Sequence, residues 1–253
     1  MNNKSRVAII IPVFNGEIFL QESIESAINQ NYNDKRIILC DDGSYDNSDS
    51  IISKYASNKE VSIIKNDTNL GLSKTLEKAF SLAMDSNCSF ATIIGQDDLL
   101  PNDYISKTIP EFKNSNIQLV YSRLKIIDKF GVATGEQVFP PNLAFYGKFS
   151  TKLLLKNNFV TAPGAIFRLN PKNTFFDDVR CDLVQDYSQW LYLSVVGKLK
   201  MSIKSYVFYR KHEKNLSNIV NLNRLKREIN IIKIDFLEKS RQNSCHKFRL
   251  NVK

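Results

Sequence analysis

Hydrophobic positions in the first hundred residues follow two alternating rhythms. Arg6–Val13 (RVAIIIPV) is an unbroken apolar run, the mark of a strand buried on both faces of a parallel sheet. Glu17–Gln30 then places Leu20, Ile24, Ala27 and Ile28 on one helical face. Arg36–Cys40 (RIILC), Val61–Lys65 (VSIIK) and Phe90–Ile94 (FATII) repeat the strand signature. Between them, Ile51, Ile52 and Tyr55, and then Leu72, Leu76, Ala79, Phe80 and Ala83, mark two further helices. The turn cluster DDGSYDNS precedes the first of these, with Asp46 placed to cap it. This β-α-β-α-β-α-β order predicts an α/β fold, a doubly wound and mostly parallel sheet with right-handed crossovers.

After Pro101 the rhythm breaks. Ile117–Ser122 and Leu124–Asp128 read as two strands, with a glycine-containing turn at Lys129–Gly131. Thr151–Lys156 reads as a short helix, Gly164–Arg168 as a short strand and Leu183–Val196 as a helix. Lys200–Lys204 and Tyr206–Arg210 are strand-like. From Asn218 the pattern is helical, with Leu222, Leu225, Ile229, Ile232 and Phe236 three or four apart. The chain shows no internal repeat and no low-complexity linker, so its two halves are expected to share one sheet.

Composition narrows the class. The 253 residues are 43% hydrophobic and 24% charged, which is ordinary for a globular protein and unlike a disordered one. The cysteines (Cys40, Cys88, Cys181 and Cys245) include no close pair, against a zinc ribbon or a CxxC redox site. His212 and His246 are too few for a histidine-rich metal centre. The N-terminal apolar run is too short for a signal peptide, and no stretch of about 18 apolar residues occurs. These features lead to the expectation of a soluble cytoplasmic protein. Net charge is +9, yet residues 219–253 hold nine Lys/Arg and three Asp/Glu, so +6 of it sits in the tail. Without an RNP1 motif, zinc finger or other nucleic-acid module, that tail gives a nucleic-acid partner little footing.

Candidate chemistry follows from the predicted sheet. Open parallel sheets bind ligands beyond the carboxyl ends of their strands. The segments there are Pro12-Val13-Phe14-Asn15-Gly16, Asp41-Asp42 and Asp97-Asp98. No GxGxxG, GxxxxGK[ST] or GxSxG occurs, which argues against a dinucleotide fold, a P-loop and a nucleophile elbow. Paired carboxylates repel phosphate unless a divalent cation bridges them, and Mg²⁺ or Mn²⁺ suits that task. A lone DDGS, by contrast, is often only a turn with a helix cap.

From Val7 to Ser217 the chain resembles glycosyltransferase family 2, whose members have the GT-A fold. The resemblance rests on VAIIIPVFNGEIFLQESIESAINQNY, DDGSYDNS, NLGLS, GQDDLLP, QDYSQWLYL and YRKHEKNLS, in the family's order. It implies an inverting, metal-dependent transfer of a sugar from a nucleotide-sugar donor to a hydroxyl of a glycan or lipid-linked saccharide. It favours UDP as donor nucleotide, with thymidine and guanosine open, and bacterial surface polysaccharide synthesis as the setting. By this resemblance residues 1–100 bind the nucleotide-sugar, 101–217 carry the acceptor site and catalytic base, and 218–253 form a basic amphipathic helix. That helix either packs on the body or rests peripherally on the inner face of a membrane.

The resemblance also assigns roles. Pro12 and Phe14 match positions lining the nucleobase pocket, and Asn15 closes that turn. Asp42 matches the acid that hydrogen-bonds the base, with Asp41 beside it. Asp97 matches the last acid of a DXD-like motif that meets metal and diphosphate, and Asp98 orients it or the sugar. His212 matches a position near the diphosphate and metal, and Asp186 the general base. Lys74 is a nearby cation. Trp190 and Tyr187, beside Asp186, suit either an acceptor platform or the core. The chain departs from the family pattern where Gly95 replaces the first acid of DXD, where Gln185 replaces Glu, and where Leu76-Glu77 replaces a common Arg-Asn pair. Gly95 and Leu76 give footing to one alternative, a non-catalytic nucleotide-binding module, and a nucleotidyltransferase, whose related architecture also binds NTP with metal, is another.

Overall fold

The computed structural model describes residues 5–137, 150–170, 184–215 and 222–242. Cys181, Cys245, His246 and the helix starts expected at Leu183 and Asn218 lie outside them. Strand β1 (Val7–Val13) is central, and Val7–Ile11 are fully buried, as the unbroken apolar run requires. It pairs in parallel with β2 (Lys35–Asp41) on one edge and β4 (Phe90–Ile93) on the other. Strand β3 (Val61–Lys65) extends the sheet beyond β2. The connecting helices are α1 (Leu20–Ile28), α2 (Ser48–Ser53) and α3 (Leu72–Asp85). The chain steps outward from β1 to β3 and then returns across β1 to β4. Right-handed crossovers therefore put α3 on the face opposite α1 and α2, and leave a switch point between β1 and β4.

Helix α1 begins three residues later than its periodicity suggests. The Glu17 backbone N–H donates to Asp46 Oδ2 at 3.0 Å, and the Glu17 carboxylate accepts from Asn47, which holds Glu17–Phe19 in a turn. Asp46 also accepts the Ser48 N–H at 2.9 Å, although Asn47 occupies the N-cap position of α2.

The second half continues the same sheet. Helix α4 (Tyr104–Thr108) and a 3-10 turn at Ile109–Lys113 lead into β5 (Ile117–Ile127). The two strands expected there are one, and their apparent break is a register shift between Ser122 and Arg123. Beyond a tight turn, β6 (Ala133–Gln137) pairs back on β5, a short strand that the hydrophobic pattern does not reveal. Helix α5 (Ser150–Lys156) precedes β7 (Ala165–Arg168), which lies antiparallel between β4 and β5. Helix α6 (Gln185–Val196) leads into β8 (Lys198–Arg210), which merges both later strand-like runs and lies parallel to β5. Among the described residues, all eight strands belong to one sheet.

Helix α7 (Leu222–Gln242) resolves the two readings of the tail in part. Ile232 is 5% exposed, and Leu225, Ile229 and Phe236 pack against the core, whereas Leu222 stays exposed. An apolar stripe used in this way favours the first of the two readings, packing on the body.

Candidate active site

The turn after β1 is built by its neighbours. Asn15 takes a left-handed backbone (φ 52°), tolerable for asparagine. Its N–H donates to Ser44 Oγ and its side-chain oxygen accepts the Tyr45 N–H, both at 3.0 Å. Gln96, beyond β4, grips the same turn: its Oε1 accepts the Phe14 N–H at 2.9 Å and its Nε2 donates to the Phe14 carbonyl at 3.2 Å. A Cβ at Gly16 would stand 2.4 Å from Gln96 Oε1, so a side chain there would push Gln96 out of this grip. The Phe14 ring is left 40% exposed with the Tyr45 ring edge-on at 5.9 Å.

Asp42 faces the same opening from the end of β2. It is 5% exposed, and its carboxylate accepts the backbone N–H groups of Leu70 (2.8 Å) and Gly71 (3.0 Å) and the Asn66 amide (2.9 Å). These bonds fix the NLGLS loop, and with three of about four acceptor positions used, roughly one remains for a ligand. Asp41 is 1% exposed and accepts the Ser44 N–H at 3.0 Å. It holds the turn and does not line the opening, contrary to its expected nucleotide contact.

Asp97 meets the C-terminal end of β8. Its Oδ2 lies 2.8 Å from His212 Nε2 and 3.1 Å from Asn215 Nδ2. Asp98 behaves differently. It is 2% exposed, its Oδ1 accepts the Arg210 N–H at 3.0 Å, and burial, then the adjacent Asp97 charge, raises its pKa well above the carboxylate range. A buried acid tied to backbone anchors β8, so the expected sugar contact at Asp98 is corrected. A Cβ at Gly95 would stand 2.6 Å from Asp97 Oδ1 and 2.9 Å from Asp98 Oδ2. The missing first acid is thus matched by carboxylates drawn into the space it would need.

Arg210, which the sequence reading did not single out, ties these parts together. Its side chain is 1% exposed, with Nε donating to the Asp97 carbonyl (2.9 Å), a terminal nitrogen to the Lys129 carbonyl (3.3 Å) and another to Glu22 Oε2 (2.6 Å). Its guanidinium lies over the Phe19 ring at 4.5 Å, and that ring in turn sits 4.9 Å from the His212 ring. The quoted YRKH segment contained this arginine, but an interior anchor and a surface cation look alike in sequence.

Together these segments enclose a cavity of about 560 Å³ at the switch point between β1 and β4. Pro12, Phe14, Asn15, Asp42, Asp97 and His212 line it, as do Phe19, Gln96 and Lys214. Lys74 is an exposed residue of α3 outside the lining, and Lys214 supplies the cation instead. Among the described residues no cluster of three metal-ligating side chains occurs. Asp97 and His212 nevertheless fit two neighbouring positions on a small octahedral ion, whose adjacent ligands at 2.0–2.1 Å lie about 3 Å apart, with phosphate oxygens and water completing the shell.

Asp186 opens helix α6 and is not part of the cavity lining. Burial pushes its pKa up to about 6, opposed by hydrogen bonds from the Trp190 indole and from the backbone of Tyr187 and Ala162. Register places it near the same rim. Ile166 pairs with Thr92, so the Ala162–Gly164 approach to β7 runs beside the end of β4, where Gly95–Asp98 begin. Trp190 is 1% exposed, donates to Asp186 Oδ2 at 3.3 Å and packs edge-on against Phe167 at 5.5 Å. It belongs to the core and steadies Asp186, which corrects the acceptor platform. Tyr187 is likewise buried, donating to the Leu154 carbonyl at 2.7 Å.

Known proteins resemble this chain. Residues 8–172 match the model of glycosyl transferase family 2. The putative glycosyltransferase EpsE of Bacillus subtilis is 32% identical over 142 residues, 55% of this chain and 50% of that protein. The cholesterol galactosyltransferase of Borreliella burgdorferi is 32% identical over 160 residues, 63% of this chain and 44% of its own, so the chain spans about half the length of these two relatives. The UDP-Glc:alpha-D-GlcNAc-diphosphoundecaprenol beta-1,3-glucosyltransferase WfaP of Escherichia coli is 28% identical over 212 residues, 83% of this chain and 79% of its own. The crystal structure of Staphylococcus aureus TarS 1-349 with UDP-GlcNAc superposes with a TM-score of 0.71 at 17% identity, covering 98% of this chain and 76% of that one. That degree of likeness speaks for the fold. The chain therefore belongs to glycosyl transferase family 2 and has the GT-A fold.

Proposed function

We propose that the protein is an inverting glycosyltransferase that moves a sugar from a nucleoside-diphosphate sugar, a UDP-sugar in this reading, to a hydroxyl of a glycan or lipid-linked saccharide. Bacterial surface polysaccharide synthesis, on the cytoplasmic side, is the setting of this reading, and the diphosphoundecaprenol-linked acceptor in the name of WfaP supports a lipid-linked saccharide as acceptor. One observation carries the reading. A cavity at the switch point brings an aromatic face (Phe14), a base-directed carboxylate (Asp42) and the Asp97–His212 pair into one enclosure.

In this reading residues 1–100 bind the donor, residues 101–217 carry the acceptor site and base, and helix α7 of the 218–253 segment braces the body. Phe14 stacks on the nucleobase, and the free acceptor position of Asp42 takes its imide N–H. Asp97 and His212 would hold Mg²⁺ or Mn²⁺ at the diphosphate end, where such a cation would supply Lewis-acid stabilisation of the leaving group. Lys214 adds positive charge at the same end. Asp186 accepts the proton of the acceptor hydroxyl as its oxygen bonds to the anomeric carbon and the bond to the diphosphate breaks, with inversion. A positioned base of this kind contributes typically 10²–10⁴-fold, and alignment of donor and acceptor much of the rest.

The test measures binding of UDP, TDP and GDP by calorimetry with and without Mn²⁺, and donor hydrolysis across a panel of nucleotide sugars. Metal-enhanced UDP binding that Asp97→Ala abolishes, with turnover that Asp186→Asn lowers at least 100-fold, is the expected pattern. Nucleotide binding without any turnover would favour the non-catalytic module. NTP turnover without sugar transfer would favour the nucleotidyltransferase.

A further inference from the structure

Beside the donor cavity lies a second, more open hollow of about 600 Å³. Ile18, Phe19, His212 and Lys214 line both, so the two are continuous. The outer wall of the second is the turn after β5. Phe130 at its tip is 77% exposed and Val132 is 60% exposed, while Ile18 across the hollow is 62% exposed. Single exposed apolar side chains are ordinary, but large ones gathered at one opening mark an interaction surface.

This tip is not a fraying loop. Asp128 Oδ1 accepts the N–H groups of Phe130 and Val132, both at 2.9 Å, and the Asp128 N–H donates to the Val132 carbonyl at 2.9 Å. Buried Arg210 binds the Lys129 carbonyl from beneath, and the Lys211 N–H bonds the Ile127 carbonyl at 2.8 Å. Phe130 is therefore held outward. Lys129 lies over the Phe130 ring, and Lys129, Lys211 and Lys214 line the hollow with two acids, Asp128 and Glu213, a small cationic excess.

We propose that this face docks the protein on a bilayer containing anionic lipid, with Phe130, Val132 and Ile18 entering the headgroup region and Lys129 and Lys211 meeting lipid phosphates. Apolar tips beside lysine suit that interface, because binding there combines buried apolar area with attraction to anionic headgroups. A protein partner would not by itself call for these lysines. The consequence is that the donor cavity opens at the membrane surface, within reach of a lipid-borne acceptor. The docking does not depend on the transfer chemistry.

The experiment is co-sedimentation of the full chain with vesicles of phosphatidylcholine alone and with 30% phosphatidylglycerol. Each lysine near an anionic leaflet is worth roughly fivefold in partitioning, so the wild type should favour anionic vesicles at least tenfold. Lys129→Ser/Phe130→Ser should lower that binding at least tenfold while keeping UDP affinity and thermal stability, since neither side chain lines the donor cavity. Lys226→Ser/Arg227→Ser/Lys239→Ser, on exposed positions of α7, should bind as wild type. Undiminished binding by the tip variant, loss only in the α7 variant, equal binding to both vesicle types or no binding at all would overturn the proposal. So would a dimer that the tip substitutions dissolve in the absence of vesicle binding.

Discussion

Replacing Asp186 with asparagine should stabilise the protein at neutral pH while removing its proposed base. Burial raises this carboxyl from 3.8 to about 6 in the folded chain. The folded state therefore binds the proton more tightly than the unfolded state, and stability is greatest where both are protonated. It falls as pH rises between about 4 and 6, and the loss is nearly complete by pH 7. At 1.36 kcal/mol for each pH unit between the two values, the charged form costs about 3 kcal/mol. Asparagine keeps an oxygen for the Trp190 indole but adds an amide donor without an assigned acceptor, which offsets about 1 kcal/mol. The net gain of about 2 kcal/mol at pH 8 corresponds to a melting temperature about 4–8 °C higher for a chain of this size. Thermal unfolding followed by circular dichroism at half-unit steps from pH 4 to pH 8 measures it. The difference between wild type and Asp186→Asn should open with rising pH and nearly close at pH 4. A variant equal to or less stable than wild type at pH 8, or a difference that ignores pH, would refute the reasoning.

The other expectations concern the frame and the phosphate end. Arg210→Met removes charged donors from the Asp97 and Lys129 carbonyls, worth about 1.5–3 kcal/mol each, while Glu22, 55% exposed, rehydrates and adds little. A loss of about 3 kcal/mol, or about 6–12 °C in chemical or thermal melts, is expected, and an unchanged melting curve would remove Arg210 from its anchoring role. Asp98→Asn should change stability at pH 7 by less than about 1 kcal/mol, because it keeps an acceptor for the Arg210 N–H at a place where burial disfavours the carboxylate charge. A collapse in denaturant titration would show that the carboxylate itself is needed there. Lys214→Ala should weaken UDP binding about five- to tenfold and UMP binding less, the loss of one charge-assisted contact of roughly 1–1.4 kcal/mol. Equal affinities in calorimetry would place that lysine outside the phosphate subsite.

The first hundred residues declared themselves because each element there carries its own signal. The Val7–Ile11 run can be satisfied only by burial on both faces, and β3 spans the residues its pattern marked. Where local signal and pairing part company, the sequence misleads. The break between Ser122 and Arg123 looks like a strand end but is a slip in register against β8, and β6 exists because β5 offers it an edge. Candidate acids followed the same division. That Asp42 and Asp97 share a rim follows from strand order, since residues after parallel strands emerge on one side.

What each acid does with its charge was settled only by long-range neighbours. Asp97 meets His212, 115 residues away, at 2.8 Å, while adjacent Asp98 is sealed beneath Arg210. Asp41 and Asp42 are likewise neighbours in sequence, yet one bonds its own turn and the other the loop at Leu70–Gly71. Residue type and periodicity determine which side chains reach the end of a strand. Solvent exclusion and hydrogen-bond partners, set by distant segments, determine which of them stay charged and open to a ligand.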